Sequence, residues 1–256
     1  MESKKEFLGI IPARYGSSRL EGKPLLDIVG KTMIRRVYEI CAPVFSTLYV
    51  ATDDERIKAE VESFGGKVVM TSAKHPNGTA RCLEAAEKIQ MLENKTFRAI
   101  INIQGDEPLI DPRQLQDILT CFDDASTQMA TIVIPVTDAS DLLNESEVFV
   151  TMDKQKNALY FSRSVIPFVR GVDKKDWLKH ATIYKHLGLY GYSISALKAF
   201  SDLPESFLEK TESLEQNRWI EEGNKIKVAI TQYDSIPVDT AEDLAKVRKI
   251  IAEKES

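Results

Sequence analysis

Short apolar runs alternate with amphipathic helical stretches from residue 7 to residue 122, and this rhythm limits the fold more than any other feature of the chain. Residues 7–12, 47–52, 67–70 and 99–103 are strand-like, apolar and bounded by turn-forming residues. Between them, Met33, Ile34, Val37, Tyr38 and Cys41 recur at helical spacing, as do Ile57, Val61 and Phe64 within 54–64. Gly65-Gly66 closes the second of these helices, since glycine tolerates the left-handed conformation past a helix end. A further helix is expected over 79–91, and another around Leu115, Ile118, Leu119 and Phe122. Alternation of this kind predicts an α/β fold, a Rossmann-like, mostly parallel sheet flanked by helices.

After Met129 the rhythm loosens. Strands are expected at 129–135, 148–152, 187–194 and 226–230, with helices at 195–202 and 214–222. A last helix carries Leu244, Val247, Ile250 and Ile251, with Thr240 as its N-cap and Asp243 three residues on. No low-complexity tract or repeat interrupts the chain, so residues 1–256 are expected to form a single domain with an inserted half. Residues 171–181 are polar and aperiodic, and predict a mobile loop.

Bulk properties exclude several classes. The formal charge is −5 and no Lys/Arg stripe with interleaved aromatics exists, which argues against a nucleic-acid partner. No apolar run is long enough to span a bilayer, so no membrane association is expected. No signal-peptide pattern opens the chain, and the expected compartment is the cytoplasm. Cys41, Cys82 and Cys121 form no CxxC pair and sit in apolar stretches, as small buried hydrophobes do.

A cluster of positive charge stands against this acidic background. Residues 10–25 read Ile-Ile-Pro-Ala-Arg-Tyr-Gly-Ser-Ser-Arg-Leu-Glu-Gly-Lys-Pro-Leu, directly after the first strand. Arg14, Arg19 and Lys23 fall within ten residues, with Ser17 and Ser18 as further donors. Gly16 and Gly22 let backbone turn tightly and approach phosphate oxygens. The segment is not a Walker A loop, because five residues separate its glycines and Pro24 stands where a Ser or Thr is needed. A solvated basic loop fits the same residues.

Three further groups carry candidate chemistry. Asn102-Ile103-Gln104-Gly105-Asp106-Glu107-Pro108 places two adjacent carboxylates at a strand end, where they suit Mg²⁺ or an ordinary acidic turn. Pro237-Val238-Asp239-Thr240 precedes the last helix, where an Asp is ordinarily a cap. Arg163, His186, Tyr190, Glu215 and Gln216 are candidates to recognise an acid, since the guanidinium fork matches a carboxylate; each also suits a plain surface role. No HExxH, GxSxG or Cys/His nucleophile pattern is present.

Eight segments in order resemble the 3-deoxy-manno-octulosonate cytidylyltransferases: IIPARYGSSRLEGKPL, VATDDERI, HPNGTAR, NIQGDEPLI, ALYFSRSVIP, HLGLYGY, LEQ and VDTAEDL. The resemblance runs from Ile10 to about Arg248. It implies a nucleotide-diphospho-sugar transferase fold with an inserted substrate and dimerisation half, and Mg²⁺-dependent transfer of CMP from CTP to the anomeric hydroxyl of 3-deoxy-D-manno-octulosonate (Kdo). It also implies a homodimer and a place in lipopolysaccharide assembly. On that basis residues 1–135 would bind nucleotide and 136–240 the sugar.

Pro12, Ala13, Arg14, Ser17, Arg19 and Lys23 would hold the nucleotide with Asn77, Gly78, Thr79, Arg81 and Gln104. The catalytic set would be Arg14, Lys23, Asp106 and Asp239, with both aspartates on the metal. Arg163, His186, Tyr190, Glu215 and Gln216 would hold the sugar acid. The chain departs from the pattern at Glu21, at Asn77 and Ala80 (a serine and an acidic residue elsewhere), and at Pro237 and Ala241 of the last motif. A related enzyme acting on sialic acid or amino-substituted Kdo, and a non-catalytic sensor, are the alternatives.

Overall fold

The computed structural model describes residues 6–16 and 20–255. They form two compact units, Met1–Leu115 with Asp234–Ser256, and Gln116–Tyr233. Strand 129–135 pairs within the second unit. No linker composition marks residues 115 or 233, so the division is invisible in the sequence.

The first unit holds a parallel sheet. Its strands are β1 (Phe7–Ala13), β4 (Thr47–Thr52), β5 (Val68–Met70) and β6 (Ala99–Asn102), and β2 (Asp27–Ile28) and β3 (Lys31–Thr32) form a separate antiparallel pair. The order β6-β1-β4-β5 is parallel throughout, with Leu8 opposite both Thr47 and Ile100. Strands covered on both faces read as continuous apolar runs, and β1 and β4 are buried almost along their length. Helices α1 (Met33–Cys41), α2 (Glu55–Ser63) and α3 (Gly78–Glu93) supply the crossovers, and α4 (Pro112–Thr120) follows β6.

Local chemistry sets the helix ends. Asp54 and Asn77 cap α2 and α3 by accepting the N–H of Arg56 and Ala80, each at 2.9 Å. Gly65 ends α2 at φ +78. The C-terminal helix, Ala241–Glu255, starts with the expected reciprocal cap, Thr240 N–H to Asp243 at 2.8 Å and Asp243 N–H to Thr240 Oγ1 at 3.2 Å. Its Leu244, Val247 and Ile251 pack with Val238 against Ile28 and Met33.

The second unit contains β7 (Met129–Pro135), β8 (Phe149–Met152), β9 (Ala158–Ser162), α5 (Trp177–His180), β10 (Tyr184–Tyr192), α6 (Ile194–Asp202), α7 (Phe207–Glu212), α8 (Asn217–Glu221) and β11 (Ile226–Ile230). β7 lies between parallel β11 and antiparallel β10, and β8 bridges β10 and β9. Neither β9 nor α7 is expected from sequence: Leu159 and Phe207 point to solvent, so neither segment shows an apolar periodicity.

Residues 171–181, expected to be a mobile loop, contain a 3-10 turn and α5. Trp177 anchors them: its ring is buried with Phe149 and Ile183, and its Nε1 donates to the Val172 carbonyl at 3.0 Å. One aromatic among polar neighbours carries no periodic signal, yet it supplies enough apolar area to pin a segment.

β10 bulges between Leu187 and Tyr190. Thr131 fixes the irregularity, donating to the Leu189 carbonyl at 2.8 Å and meeting His186 Nε2 at 2.8 Å. The His186 ring also meets Phe161 edge-on at 5.1 Å. Desolvation lowers the His186 pKa to about 3.

Two stability predictions follow from these contacts. The buried Arg36 donates to the carbonyls of Ile28 and Val29 at 2.5 and 2.7 Å and pairs with the half-exposed Glu255 at 2.8 Å. In urea denaturation, Arg36→Met is expected to cost about 2–4 kcal/mol because the buried Ile28 carbonyl and the part-buried Val29 carbonyl lose their donor, and Glu255→Gln less than about 1 kcal/mol. His186 is neutral in the fold while the unfolded chain takes up a proton near the ordinary histidine value. Its contribution is therefore complete above about pH 6.5 and is lost as pH falls toward 3. His186→Gln should flatten that acid limb of the stability curve, and an unchanged slope would show that His186 does not set it.

Candidate active site

In the first unit, the carboxyl ends of β1 and β6 open into a cleft of about 380 Å³. Open α/β sheets bind ligands at this edge, where backbone groups leave the ladder. Pro12 and Ala13 end β1, Gln104 and Gly105 follow β6, and all four line the cleft. Gly105 is there for space: a Cβ would stand 3.1 Å from the Pro12 carbonyl oxygen.

Lys23 organises the floor. It opens the 3-10 turn Lys23–Leu25, and its Nζ donates to Asp106 Oδ2 at 2.7 Å and to Asp239 Oδ1 at 3.1 Å. The two aspartates, distant in sequence, converge because the Val238 N–H donates to the Asp106 carbonyl at 2.9 Å, with Val238 fully buried behind it. Thr240 takes the capping role that sequence assigns to an Asp at this position, and the Asp239 carboxylate is left to face Lys23. Arg14 lines the same cleft and is exposed.

Two carboxylates against one ammonium leave the trio net anionic. Hard oxygen donors converging at the edge of an open cleft fit Mg²⁺, which accepts one or two carboxylates and completes its shell with phosphate oxygens and water. Among the described residues no group of three or more His, Cys, Asp or Glu is placed to hold a metal ion.

The paired reading of Asp106 and Glu107 is corrected here. Glu107 is buried and accepts from Ser235 Oγ at 2.8 Å, away from its neighbour's role. Burial, opposed by the Ser235 bond and reinforced by Asp106 and Asp234, pushes its carboxyl up to about 7.

The α3 N-terminus forms another wall. Asn77, Gly78 and Arg81 line the cleft, whereas Thr79 is buried in the helix and does not. Arg81 is itself buried, donating to Thr71 Oγ1 at 2.7 Å and paired with Asp53 at 3.2 Å. Asn77 fills the cap position of a serine without loss, since the two residues cap equally well, and Ala80 drops only the reciprocal half of a capping box. His75 also lines the cleft and is held by Glu84. Although desolvation raises the Glu84 carboxyl, bonds from Lys88, the Ser72 N–H and His75 bring it down to about 2.

Asp53, Thr71 and Glu84 are missed in sequence. Only Asp53, just beyond the carboxyl end of β4, carries a positional signal. Ser17 and Arg19 lie outside the described residues.

The five remaining candidates belong to the second unit. The His186 and Tyr190 rings meet at a tilt, 5.2 Å apart on β10, and burial together with the Glu215 charge raises the Tyr190 hydroxyl well above its ordinary value. Arg163 follows β9 and is held by Glu212, which accepts its N–H at 2.9 Å and, through its own carbonyl, its Nε at 2.9 Å. Gln216 is buried, and its Nε2 finds no acceptor among the described residues. Asn217 ties α8 to β9 by donating to the Phe161 carbonyl at 2.9 Å. Arginine, tyrosine, carboxylate and amide side chains are the types that suit a hydroxylated acid.

Comparison with known proteins agrees with this chemistry. The cytidylyltransferase family matches residues 8–226. A 3-deoxy-manno-octulosonate cytidylyltransferase from Bacteroides thetaiotaomicron is 52% identical over 249 residues, covering 96% of this chain and 98% of its own. An 8-amino-3,8-dideoxy-manno-octulosonate cytidylyltransferase from Shewanella baltica is 47% identical over 247 residues, 95% of this chain and 97% of its own. The solved structure of CMP:2-keto-3-deoxy-manno-octonic acid synthetase complexed with CTP matches with a TM-score of 0.88 at 40% identity, covering 98% of this chain and 100% of its own. The α/β, mostly parallel fold expected from sequence is thus the fold of a nucleotidyltransferase, and the chain belongs to the cytidylyltransferase family.

Proposed function

We propose that this chain transfers CMP from CTP to the anomeric hydroxyl of Kdo, giving CMP-Kdo and pyrophosphate, with Mg²⁺ as cofactor. The observation that carries it is the convergence of Lys23, Asp106 and Asp239 on one cleft lined also by Arg14.

The hydroxyl oxygen bonds to the α-phosphorus as the bond to the bridging oxygen breaks in line, pyrophosphate leaves, and the hydroxyl proton passes to water. No protein nucleophile takes part. Arg14 and Lys23 face the triphosphate and stabilise charge that grows on the departing group. Asp106 and Asp239 would hold Mg²⁺, which when bound neutralises phosphate charge and lowers the pKa of an oxygen it touches. Lys23, bonded to both carboxylates, keeps them aimed into the cleft. Gln104 and the 75–81 loop, through His75, Asn77, Gly78 and Arg81, face the nucleoside.

In the second unit, Arg163, His186, Tyr190, Glu215 and Gln216 bind the carboxylate and hydroxyls of the sugar acid. The unpaired buried amide of Gln216 supports this, because such a donor is costly unless a ligand supplies an acceptor. Kdo activation places the chain in lipopolysaccharide assembly in the cytoplasm, acting as a homodimer. Among the described residues no helix is long and apolar enough to cross a membrane, and the three free cysteines are buried, which suits a reducing compartment.

A second acceptor, 8-amino-3,8-dideoxy-manno-octulosonate, is favoured by the Shewanella relatives. Pyrophosphate release is expected with CTP, Mg²⁺ and Kdo, to fail without metal or sugar, and to fall with UTP. Faster release with the amino sugar would change the acceptor and keep the mechanism. Asp106→Asn and Asp239→Asn are each expected to lower turnover more than about a hundredfold, the scale of lost electrostatic stabilisation. Near-normal turnover in both would exclude the two-carboxylate site.

A further inference from the structure

The loop between β1 and the Lys23 turn is closed at its neck. The Gly22 N–H donates to the Tyr15 carbonyl at 3.0 Å, so the chain leaves and re-enters at one point. Arg14 stands just before the neck and Lys23 just after it, and both line the cleft. Gly22 adopts φ +65, and a Cβ there would meet the Tyr15 ring at 3.0–3.1 Å, so the ring lies directly against the glycine. The Arg56 guanidinium covers the same ring, 3.2 Å from its centroid. Asp54 fixes the plane of that guanidinium through two parallel bonds, Nε to Oδ1 at 3.0 Å and Nη2 to Oδ2 at 2.7 Å. The same carboxylate caps α2, so the clamp is anchored on a rigid helix start.

Stability alone gives little reason for this arrangement. The Arg56 side chain is 59% exposed, and ion pairs of that kind contribute little to folding. What the clamp does control is where the two ends of the loop sit. We infer that Tyr15 and Arg56 are positioning residues for nucleotide binding: stacked on each other and held by Asp54, they fix the loop neck and so the spacing of Arg14 and Lys23 before the triphosphate. This rests on the proposed phosphate role of Arg14 and Lys23.

The test is calorimetric titration of CTP with Mg²⁺, with steady-state kinetics and melting temperatures, on Arg56→Gln, Tyr15→Leu, Tyr15→Phe and Lys23→Ala. Arg56→Gln and Tyr15→Leu are expected to raise Kd and KM for CTP about three- to tenfold, as for a lost cation–π contact. The KM for the sugar acid and the melting temperature should stay unchanged, and Tyr15→Phe, which keeps the ring, should bind CTP as the parent does. If Tyr15→Leu also lowers the melting temperature, the exposed Arg56→Gln carries the test alone. Loss of CTP binding in Lys23→Ala with Arg56→Gln within twofold of the parent overturns the clamp and leaves the proposed function standing. Unchanged CTP binding in Lys23→Ala overturns both.

Discussion

The first unit depends on one convergence: a lysine ammonium held between Asp106 and Asp239, carboxylates from distant parts of the chain. Without the cation, two neighbouring carboxylates would repel and each would turn toward water. Without the carboxylates, a lysine that is only 14% exposed would lack a partner. A backbone bond makes the meeting possible, from the Val238 N–H to the Asp106 carbonyl. Behind it, Val238 joins Ile28, Met33 and the C-terminal helix in a common apolar cluster. Core packing thus delivers the last motif to the first sheet, and the polar trio is a consequence of where that apolar face must go.

The cleft walls show a recurrent economy in which residues that end secondary structure also shape the site. Asn77 caps α3 and lines the cleft. Asp54 caps α2 and grips Arg56. Thr240 caps the C-terminal helix, which leaves Asp239 one position earlier for Lys23. Caps serve well here because their backbone is fixed by the first helical turn, so a side chain at or beside a cap has few alternative directions.

The differences between expectation and structure share one physical origin. Asp106 and Glu107 are neighbours with the same chemistry, and their fates diverge because the turn after β6 brings them to different neighbours. One reaches the cleft, and the other is buried against Ser235. Thr79 lies beside cleft-lining Gly78 and is buried by its place on α3. Residues 171–181 look mobile as a string of polar residues, yet Trp177, with Val172 and Leu178 packed beside it, ties them down. Each case turns on direction or on a distant packing partner, neither of which a linear pattern encodes.

Periodicity and motif order were sufficient for the α/β class, for strands 47–52, 129–135 and 226–230 to the residue, for the cap at Thr240, and for the family. These are legible because burial on one face or both imposes a repeat on local sequence, and because a loop that meets phosphate needs glycine and positive charge close together. Tertiary structure alone decided that the chain divides at residues 115 and 233, that Glu107 turns away to Ser235, and that Arg81 and His75 are held by Asp53 and Glu84. It also placed Arg56 over Tyr15. Those outcomes depend on contacts between segments far apart in the chain, set by how apolar faces of different elements pack, and no local pattern carries that information.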